Sequence, residues 1–387
     1  MLHYIWDGLC IALGFLLFAP QLRLLHQPKV RPTRAADPAD PSGLISIIVP
    51  ARNEADNLKV LLPLLYEQTL VPLEIIVVDD GSEDGTAEVA ERLGAKLIKA
   101  EPLPRGWLGK SWACWTGALA ATGETLLFLD ADTRPRPDFL KRMDDLLRQT
   151  GGLVTVQPFH YAPTIREQSS AFFNLVLLAA SGAPSSLQLR RTDGFGPCAA
   201  CSRHHYYASG GHERIKGEVL EHLQLGKQFK AAGLAAVSLT GRDLLGFRMY
   251  PKGWRALLQG WSKSISLGAG SAPLPMLLLT SLWLSGLVAA ALRLFAAVSG
   301  DSAAAVLTGS ALSATVPLAE LLAPLALYAL AVWTVARGLR HCGTFRWYTK
   351  LLYPLYLLFF IGLFSYSLLL SFTLRRVVWK GRQINVK

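Results

Sequence analysis

The chain has 387 residues, 51% hydrophobic and 17% charged, where an average soluble domain carries about 25% charged residues. That balance excludes a wholly soluble protein, and it excludes a disordered one, which needs low hydrophobicity and high net charge. The formal net charge of +11 fits nucleic acid, anionic lipid or the flanks of membrane helices, so the placement of the charges decides.

The first predicted element runs from Tyr4 to Leu25. Gly8–Leu22 is free of charge between Asp7 and Arg23, and the stretch with its aromatic border just reaches the roughly 20 residues a bilayer core takes. A cleaved signal peptide would open on a basic region, yet Lys and Arg are absent from the first seven residues. The basic residues follow instead, at Arg23, Lys29, Arg31 and Arg34, which directs the next segment to the cytoplasmic side. Residues 1–27 therefore read as a membrane anchor. Residues 28–43, with prolines at 28, 32, 38 and 41, read as a linker.

Over 44–246 the pattern becomes that of an α/β domain. The β-rich runs LISIIVP, LEIIVVDD, AKLIKA, ETLLFLD and GLVTVQ alternate with helical spacing over Glu54–Gln68, Gly85–Leu93, Lys110–Ala121 and Arg136–Gln149. Such alternation predicts a mostly parallel sheet flanked by helices, with ligands at the carboxyl ends of the strands. Of the five cysteines, Cys198 and Cys201 form a CxxC near His204 and His205. The run GFGPCAACSRHHYY reads as a strand entering a helix, which turns residues three apart to opposite faces, so neither a metal site nor a disulfide framework is expected.

Residues 247–270 read as an interfacial amphipathic segment and 271–374 as a C-terminal membrane region. No charge occurs between Lys263 and Arg293, nor from Leu351 to Leu374, whereas Ser302–Arg337 is interrupted by Pro317, Glu320 and Pro324. One anchor and three full crossings would leave the basic tail 375–387 outside, against its charge. The Ser302–Arg337 stretch is therefore expected not to cross. Basic residues cluster beside these runs, at Lys252, Arg255 and Lys263, at Arg337–Lys350 and at Arg375–Arg382. The charge thus belongs to a membrane surface, and nucleic acid is not an expected partner.

Chemistry concentrates at three strand ends. Asp130 and Asp132 follow ETLLFL; one residue apart on extended backbone, both can face one ligand, and hard oxygen donors suit Mg²⁺ or Mn²⁺ bridging a diphosphate. Asp79 and Asp80 close LEIIVVDD and can accept hydrogen bonds from a base or a ribose; a turn and cap cluster with Asp84 and Gly85 is equally compatible. Asn53 and Glu54 open a helix after Pro50 at the third end.

Together, SIIVPARNE, VVDDGSEDGT and FLDADT resemble the nucleotide-sugar site of the inverting glycosyltransferases of family 2, which have the GT-A fold. The resemblance covers about Leu44–Gly246. It implies a UDP-sugar donor held around Pro50, Asn53, Glu54, Asp79, Asp80, Lys110 and Asp130. Asp80 would read the uracil with Asp79 supporting it, Asp130 would approach the ribose, and Asp132 with Asp130 would ligate the metal. The GWLGK segment ending at Lys110, the terminal apolar segments and the WKGR tail are similar to the subgroup that glycosylates isoprenoid lipids, the 4,4'-diaponeurosporenoate and hopene-associated glycosyltransferases. Lys110 would meet the nucleotide as a point charge. Trp107, Trp112 and Trp115 would line an apolar acceptor groove or serve helix packing.

The family's general base is the aspartate of an ED pair opening a helix. Here Glu221 matches the glutamate and His222 stands in the aspartate's place, so the base is expected among His222, Glu221 and Glu218. A carboxylic acid acceptor would lessen the need for one, being ionised near neutral pH. QGWSK differs from the QxxRW of processive synthases and argues against polymerisation; Gln259 and Trp261 are expected to cap the acceptor pocket. The resemblance implies inverting transfer of a hexose from a UDP-sugar to an isoprenoid lipid, a carotenoid carboxylate first, by a multi-pass membrane protein whose catalytic domain faces the cytoplasm. Transfer to another lipid (hopanoid, polyprenyl phosphate, diacylglycerol), or a non-catalytic scaffold keeping the fold, is compatible with the same residues.

Overall fold

A computed structural model describes residues 2–18, 44–185, 194–218, 220–299, 318–374, 376–379 and 382–385. The linker expected over 28–43 lies outside the described residues, as does the first part of the Ser302–Arg337 stretch.

The chain opens with α1 (Leu2–Leu17). There follow β1 (Ile45–Ala51), α2 (Ala55–Tyr66), β2 (Glu74–Asp79), α3 (Thr86–Arg92), β3 (Lys96–Lys99), α4 (Gly109–Ala120) and β4 (Thr125–Leu129). Next come β5 (Thr133–Pro135), α5 (Phe139–Thr150), β6 (Leu153–Gln157), β7 (Phe159–His160), α6 (Ile165–Gln168) and α7 (Ala171–Ser181). The central part ends with β8 (Cys198–Ser202), α8 (Arg203–Ala208), α9 (Glu221–Ala231), β9 (Ala236–Thr240) and β10 (Leu245–Phe247). The last elements are α10 (Trp254–Ser271), α11 (Leu274–Ser299), α12 (Leu318–Cys342), α13 (Trp347–Leu351), α14 (Tyr353–Leu374), β11 (Arg376–Trp379) and β12 (Arg382–Asn385).

Two compact units result. One comprises Leu22–Tyr161 and Thr192–Met249; the other comprises Met1–Gln21, Ala162–Arg191 and Tyr250–Lys387. The first holds a seven-stranded sheet in the order β3-β2-β1-β4-β8-β6-β9. Every neighbouring pair is parallel except those made by β8, which runs against β4 and β6. All five predicted strands are present. Alternation along each strand builds two cores: Ile47, Val49, Val77, Leu127, Leu129 and Val156 pack with α2, α3 and α5, and Ile48, Ile76, Val78, Leu126 and Phe128 pack with α4, α8 and α9. Cys198 belongs to the first core and Cys201 to the second, as the reading of that run required. Both are buried free thiols, and among the described residues no group of three or more His, Cys, Asp or Glu is arranged to hold a metal.

The second unit is helical. The predicted α/β domain over 44–246 is interrupted here, because Ala162–Arg191 groups with the terminal segments. The reason lies in α7, AFFNLVLLAAS, in which nine of eleven residues are buried: it is apolar all round and needs cover on every side. Phe173 stacks on Trp261 with ring centroids 4.8 Å apart. Gln168 accepts hydrogen bonds from Arg346 N at 2.9 Å and Thr349 Oγ1 at 2.6 Å. Gly14 gives α1 close passage, since a Cβ there would lie 2.6 Å from Trp283 and 2.8 Å from Thr334. Asp7 of α1 pairs with Arg293 of α11, whose guanidinium also lies 4.7 Å over the Tyr4 ring.

Among the described residues, Leu274–Ser299 and Leu321–Cys342 are long and apolar enough to cross a membrane, while Leu2–Leu17 and Tyr353–Leu369 are apolar but shorter. Of the Ser302–Arg337 stretch, expected not to cross, the part from Leu318 is described, and there the expected interruption at Pro324 is absent. Helix α12 runs unbroken from Leu318, and Pro324 falls in its second turn, where it removes one hydrogen bond to residue 320 and leaves the rest of the ladder intact. The expected basic tail carries structure of its own, the antiparallel β11–β12 pair.

At the edge of the large sheet where the parallel strands begin, Glu74 ties three segments together. Its Oε1 accepts from Ser46 Oγ at 2.7 Å and from Thr122 N and Oγ1 at 2.6 and 2.7 Å, and its Oε2 takes Lys96 Nζ at 3.2 Å. Burial alone would raise its pKa; the hydrogen bonds from Thr122, Ser46 and Lys96 prevail and lower it to about 2. A depressed folded-state pKa stabilises the fold above the ordinary carboxyl range, and the benefit is lost as pH falls towards 2. Glu74→Gln should therefore destabilise the detergent-solubilised chain by about 2 kcal/mol at neutral pH. Denaturation followed across pH should show that difference shrinking from about pH 4.5 downward.

Candidate nucleotide-sugar and transfer site

The predicted site residues of the sheet unit gather where β1, β2 and β4 end. Two loops are buckled together there. Asn53, in the left-handed region at φ 55°, donates its backbone N–H to Ser82 Oγ at 2.9 Å and accepts Glu83 N on its side chain at 2.8 Å. Glu54 N bonds Thr86 Oγ1 at 2.9 Å, and Asp84 accepts Ala55 N at 3.2 Å. Asp79 accepts both Ser82 N and Ser82 Oγ. Asp79 thus holds the turn, as the alternative for the Asp79 and Asp80 pair had it, and Asn53 and Glu54 shape the rim. Asp80 is 7% exposed and is set by its backbone bond to Ala51 O at 2.9 Å.

A small pocket beside this rim is lined by Pro50, Lys110, Asp130, His212, Glu221 and His222, among others. Its centre is the Lys110 ammonium, which lies 2.8 Å from Asp130 Oδ1, 3.2 Å from Glu221 Oε1 and 3.1 Å from the Gly196 carbonyl. Burial would neutralise an isolated lysine; Asp130 and Glu221 reverse that and hold Lys110 charged, with its pKa raised. Glu221 shows the mirror image. Burial would raise its pKa, but Lys110 and then His222 bring it well below the usual carboxylate range, and its position in the first turn of α9 also favours negative charge.

His222 follows, with Nδ1 3.9 Å from Glu221 Oε1, beyond hydrogen-bond reach. That nitrogen is buried and makes no hydrogen bond among the described residues. Two glycines admit the residue: a Cβ at Gly196 would lie 2.9 Å from His222 Nδ1, and one at Gly194 would lie 2.6 Å from its carbonyl oxygen. Glu218, by contrast, is exposed and interacts with Gln224 Nε2 at 3.5 Å, outside the pocket lining.

His212 was not foreseen. It is 4% exposed, its Nδ1 shares a 2.8 Å hydrogen bond with Tyr206 OH, and burial lowers its pKa to about 4, so it is neutral at physiological pH. The GGH ahead of the Glu221 helix was the available signal.

Trp107 of the GWLGK segment forms a half-buried row with Trp112 and Trp115 of α4. The ring of Trp107 lies 5.1 Å from Trp112 and 6.3 Å from Trp115, which continues to Tyr207 at 5.8 Å. Trp261 departs from expectation. It lies in the helical unit, 3% exposed, with Nε1 donating to Ser170 Oγ at 3.0 Å and its ring against Phe173, so its surface is committed to packing and not to a pocket cap. Gln259 is exposed on the same helix.

Asp132 stands two residues beyond Asp130, half-buried, between β4 and β5. The two aspartates present hard oxygen donors, and so few protein ligands fit a divalent cation that takes its remaining ligands from a diphosphate and water.

Residues 46–206 match the family described as Glycosyl transferase family 2. The chain is 32% identical over 348 residues to a 4,4'-diaponeurosporenoate glycosyltransferase of Staphylococcus aureus (strain USA300), covering 88% of each chain. It is 31% identical over 288 residues to the protein of that name from Staphylococcus haemolyticus (strain JCSC1435), covering 73% of this chain and 75% of the relative. Among solved structures it is similar to the mannosyltransferase PcManGT from Pyrobaculum calidifontis in complex with GDP-Man and Mn²⁺, at 23% identity, 90% coverage of this chain, 99% of that one, and a TM-score of 0.47. The family match spans the strand ends bearing Asn53, Asp80 and Asp130, and the similarity to the staphylococcal enzymes extends far past it into the terminal helices: the chain belongs to glycosyl transferase family 2 and is a glycosyltransferase.

Proposed function

We propose that this enzyme transfers a hexose from a UDP-sugar to the carboxyl group of an isoprenoid acid of the 4,4'-diaponeurosporenoate type, with inversion at the anomeric carbon. The observation that carries this reading is the extent of similarity to the staphylococcal enzymes, 88% of both chains, apolar helices included. Helices long enough to cross a membrane are what an acceptor dissolved in lipid requires beside a water-soluble donor. In this reading the catalytic unit faces the cytoplasm, in keeping with the basic residues at 23–34.

Asp80, supported by Asp79, holds the uracil at the end of β2, and Asp130 the ribose at the end of β4. Lys110 faces the diphosphate as a fixed positive charge. Asp132, with Asp130 beside it, would hold Mg²⁺ or Mn²⁺, which when bound offsets the charge developing on the leaving UDP. The half-buried tryptophans of α4 offer a face for an apolar chain. An acceptor carboxylate oxygen attacks the anomeric carbon opposite the diphosphate, the ester bond forms, and UDP departs with the bonding electron pair. The nucleophile is already an anion near neutral pH, so no residue need remove a proton. Glu221, held ionised by Lys110, is poorly suited to accept one.

Membranes containing the chain, supplied with radiolabelled UDP-glucose and 4,4'-diaponeurosporenoate, should yield a labelled lipid from which mild alkali releases the hexose, as an ester demands. An alkali-stable product, or none, overturns the acceptor reading.

Asp132→Asn should reduce transfer at least about 100-fold, since even outer-shell changes at metal sites cost 10–100-fold, and EDTA should do the same until Mn²⁺ or Mg²⁺ is added back. Retention of activity under both treatments would remove the metal from the mechanism. Asp80→Ala should raise the KM for the donor about 10-fold or more while leaving kcat nearly unchanged, because a hydrogen bond to the uracil persists through the reaction; initial-rate measurements at varied donor concentration separate the two.

A further inference from the structure

The small second sheet brings a cation to the aspartate proposed to hold the metal. Strand β10 pairs antiparallel with β5, with Leu245 opposite Pro135, Gly246 opposite Arg134 and Phe247 opposite Thr133. One step further along, Arg248 N donates to Asp132 O at 3.4 Å, so Arg248 stands across from Asp132. Opposite residues of an antiparallel ladder share a face, with Cβ atoms about 5 Å apart, and the faces alternate along each strand. Burial follows that alternation: Thr133, Pro135, Leu245 and Phe247 are buried, whereas Asp132, Arg134 and Arg248 are half-buried. Asp132 and Arg248 therefore share the face turned away from the core.

Tyr161 sets the two arginines of that face apart. A Cβ at Gly246 would lie 2.3 Å from the Tyr161 ring, and the Arg134 guanidinium lies 5.9 Å from the centre of that ring, so this step of the ladder is given to packing. Arg248 is one step nearer the end of β4, beside Asp132. An arginine there keeps its charge at any physiological pH, and its planar fork of N–H donors matches phosphate oxygens. Under the proposed function, Mg²⁺ or Mn²⁺ on Asp130 and Asp132 takes remaining ligands from the diphosphate, which brings phosphate oxygens towards the residue facing Asp132.

We propose that Arg248 is a donor-binding residue that grips the diphosphate of the UDP-sugar from the β10 side, opposite Asp132. The inference rests on the UDP-sugar and the metal proposed above and adds a further positive group to theirs: Lys110 from α4, the divalent ion at the end of β4, and Arg248 from β10. When the bond between sugar and diphosphate breaks, the electron pair stays on the terminal phosphate. A guanidinium already in place stabilises that developing charge more than the charge present beforehand. Arg248 therefore counts both in donor binding and in kcat. An arginine that served only to orient Asp132 would act through the metal instead.

The test measures binding to the full chain in detergent: Mn²⁺ alone by electron paramagnetic resonance, then UDP by calorimetry and uridine by ligand-observed NMR, both with Mn²⁺ present. Arg248→Gln should raise the Kd for UDP at least about 10-fold and leave uridine binding unchanged. Binding of Mn²⁺ alone should be unchanged or tighter, since a positive charge beside Asp132 is removed. Arg248→Lys, which keeps the charge and loses the fork, should fall between. Arg134→Gln should bind UDP as wild type does, which separates a contact from the general basicity of the face. In membranes supplied with UDP-glucose and 4,4'-diaponeurosporenoate, Arg248→Gln should also lower kcat at least about 10-fold. Unchanged UDP binding overturns the proposal, as does weaker binding of Mn²⁺ alone, which would make Arg248 a support for Asp132. Uridine binding that is lost in Arg248→Gln and not restored in Arg248→Lys overturns it in favour of a structural role. A raised KM confined to the isoprenoid acid overturns it by moving the residue to the acceptor. UDP binding that depends on Arg248 in a chain that leaves the acid unglycosylated overturns the acceptor reading and not this one.

Discussion

The Lys110 ammonium between Asp130 and Glu221 is the interaction on which the site depends. Its three charged members come from three elements, the start of α4, the end of β4 and the start of α9, and the Gly196 carbonyl adds a fourth segment. A lone buried ion is discharged or costs several kcal/mol; Lys110 and Glu221 instead hold each other charged. The cluster is thus a structural clasp, and under the proposed function it would also be a preorganised field for the departing diphosphate, one that needs little reorganisation as charge develops.

The sheet divides its labour along the strand axis. Glu74, Ser46 and Thr122 close the edge where the parallel strands begin, with hydrogen bonds that serve the fold. The opposite edge carries Asn53, Asp80, Asp130 and Lys110. Even there, part of the polar constellation is architectural: Asn53, Glu54, Asp79 and Asp84 spend hydrogen bonds on one another's loops. A carboxylate at a strand end can hold a turn or a ligand, and in this chain Asp79 holds the turn while its neighbour Asp80 is positioned behind it.

Much of this was legible in the residues because the signals were local and periodic. The strands LISIIVP to GLVTVQ alternate too regularly to be missed, and the spacing of Cys198 and Cys201 assigned them to opposite cores. Weak periodicity hid β9, whose AVSLT mixes small and polar residues. Long-range arrangement was harder. The grouping of α7 with the terminal helices depends on what covers its apolar circumference, which a local pattern does not specify. Trp261 looked like a pocket residue because its motif sits after the sheet domain, but its indole is used on Ser170 and Phe173. Pro324 looked like a break, yet one missing hydrogen bond near a helix start is tolerated. His212 has meaning only once Tyr206 and Glu221 are beside it in space.

The reversed direction of β8 has a consequence for how such an enzyme can diversify. A strand parallel to its neighbours receives its incoming loop at the edge away from the ligands. By running against β4 and β6, β8 receives its loop at the ligand edge, which is how Gly196 and Pro197 come to meet Lys110 and Asp130. Gly196 is therefore part of the pocket wall, while the chain leaves β8 after Ser202 at the far edge. An enzyme built on this sheet can vary the pocket wall at β8 without touching the ends of β1, β2 and β4, which the proposed function gives to the donor.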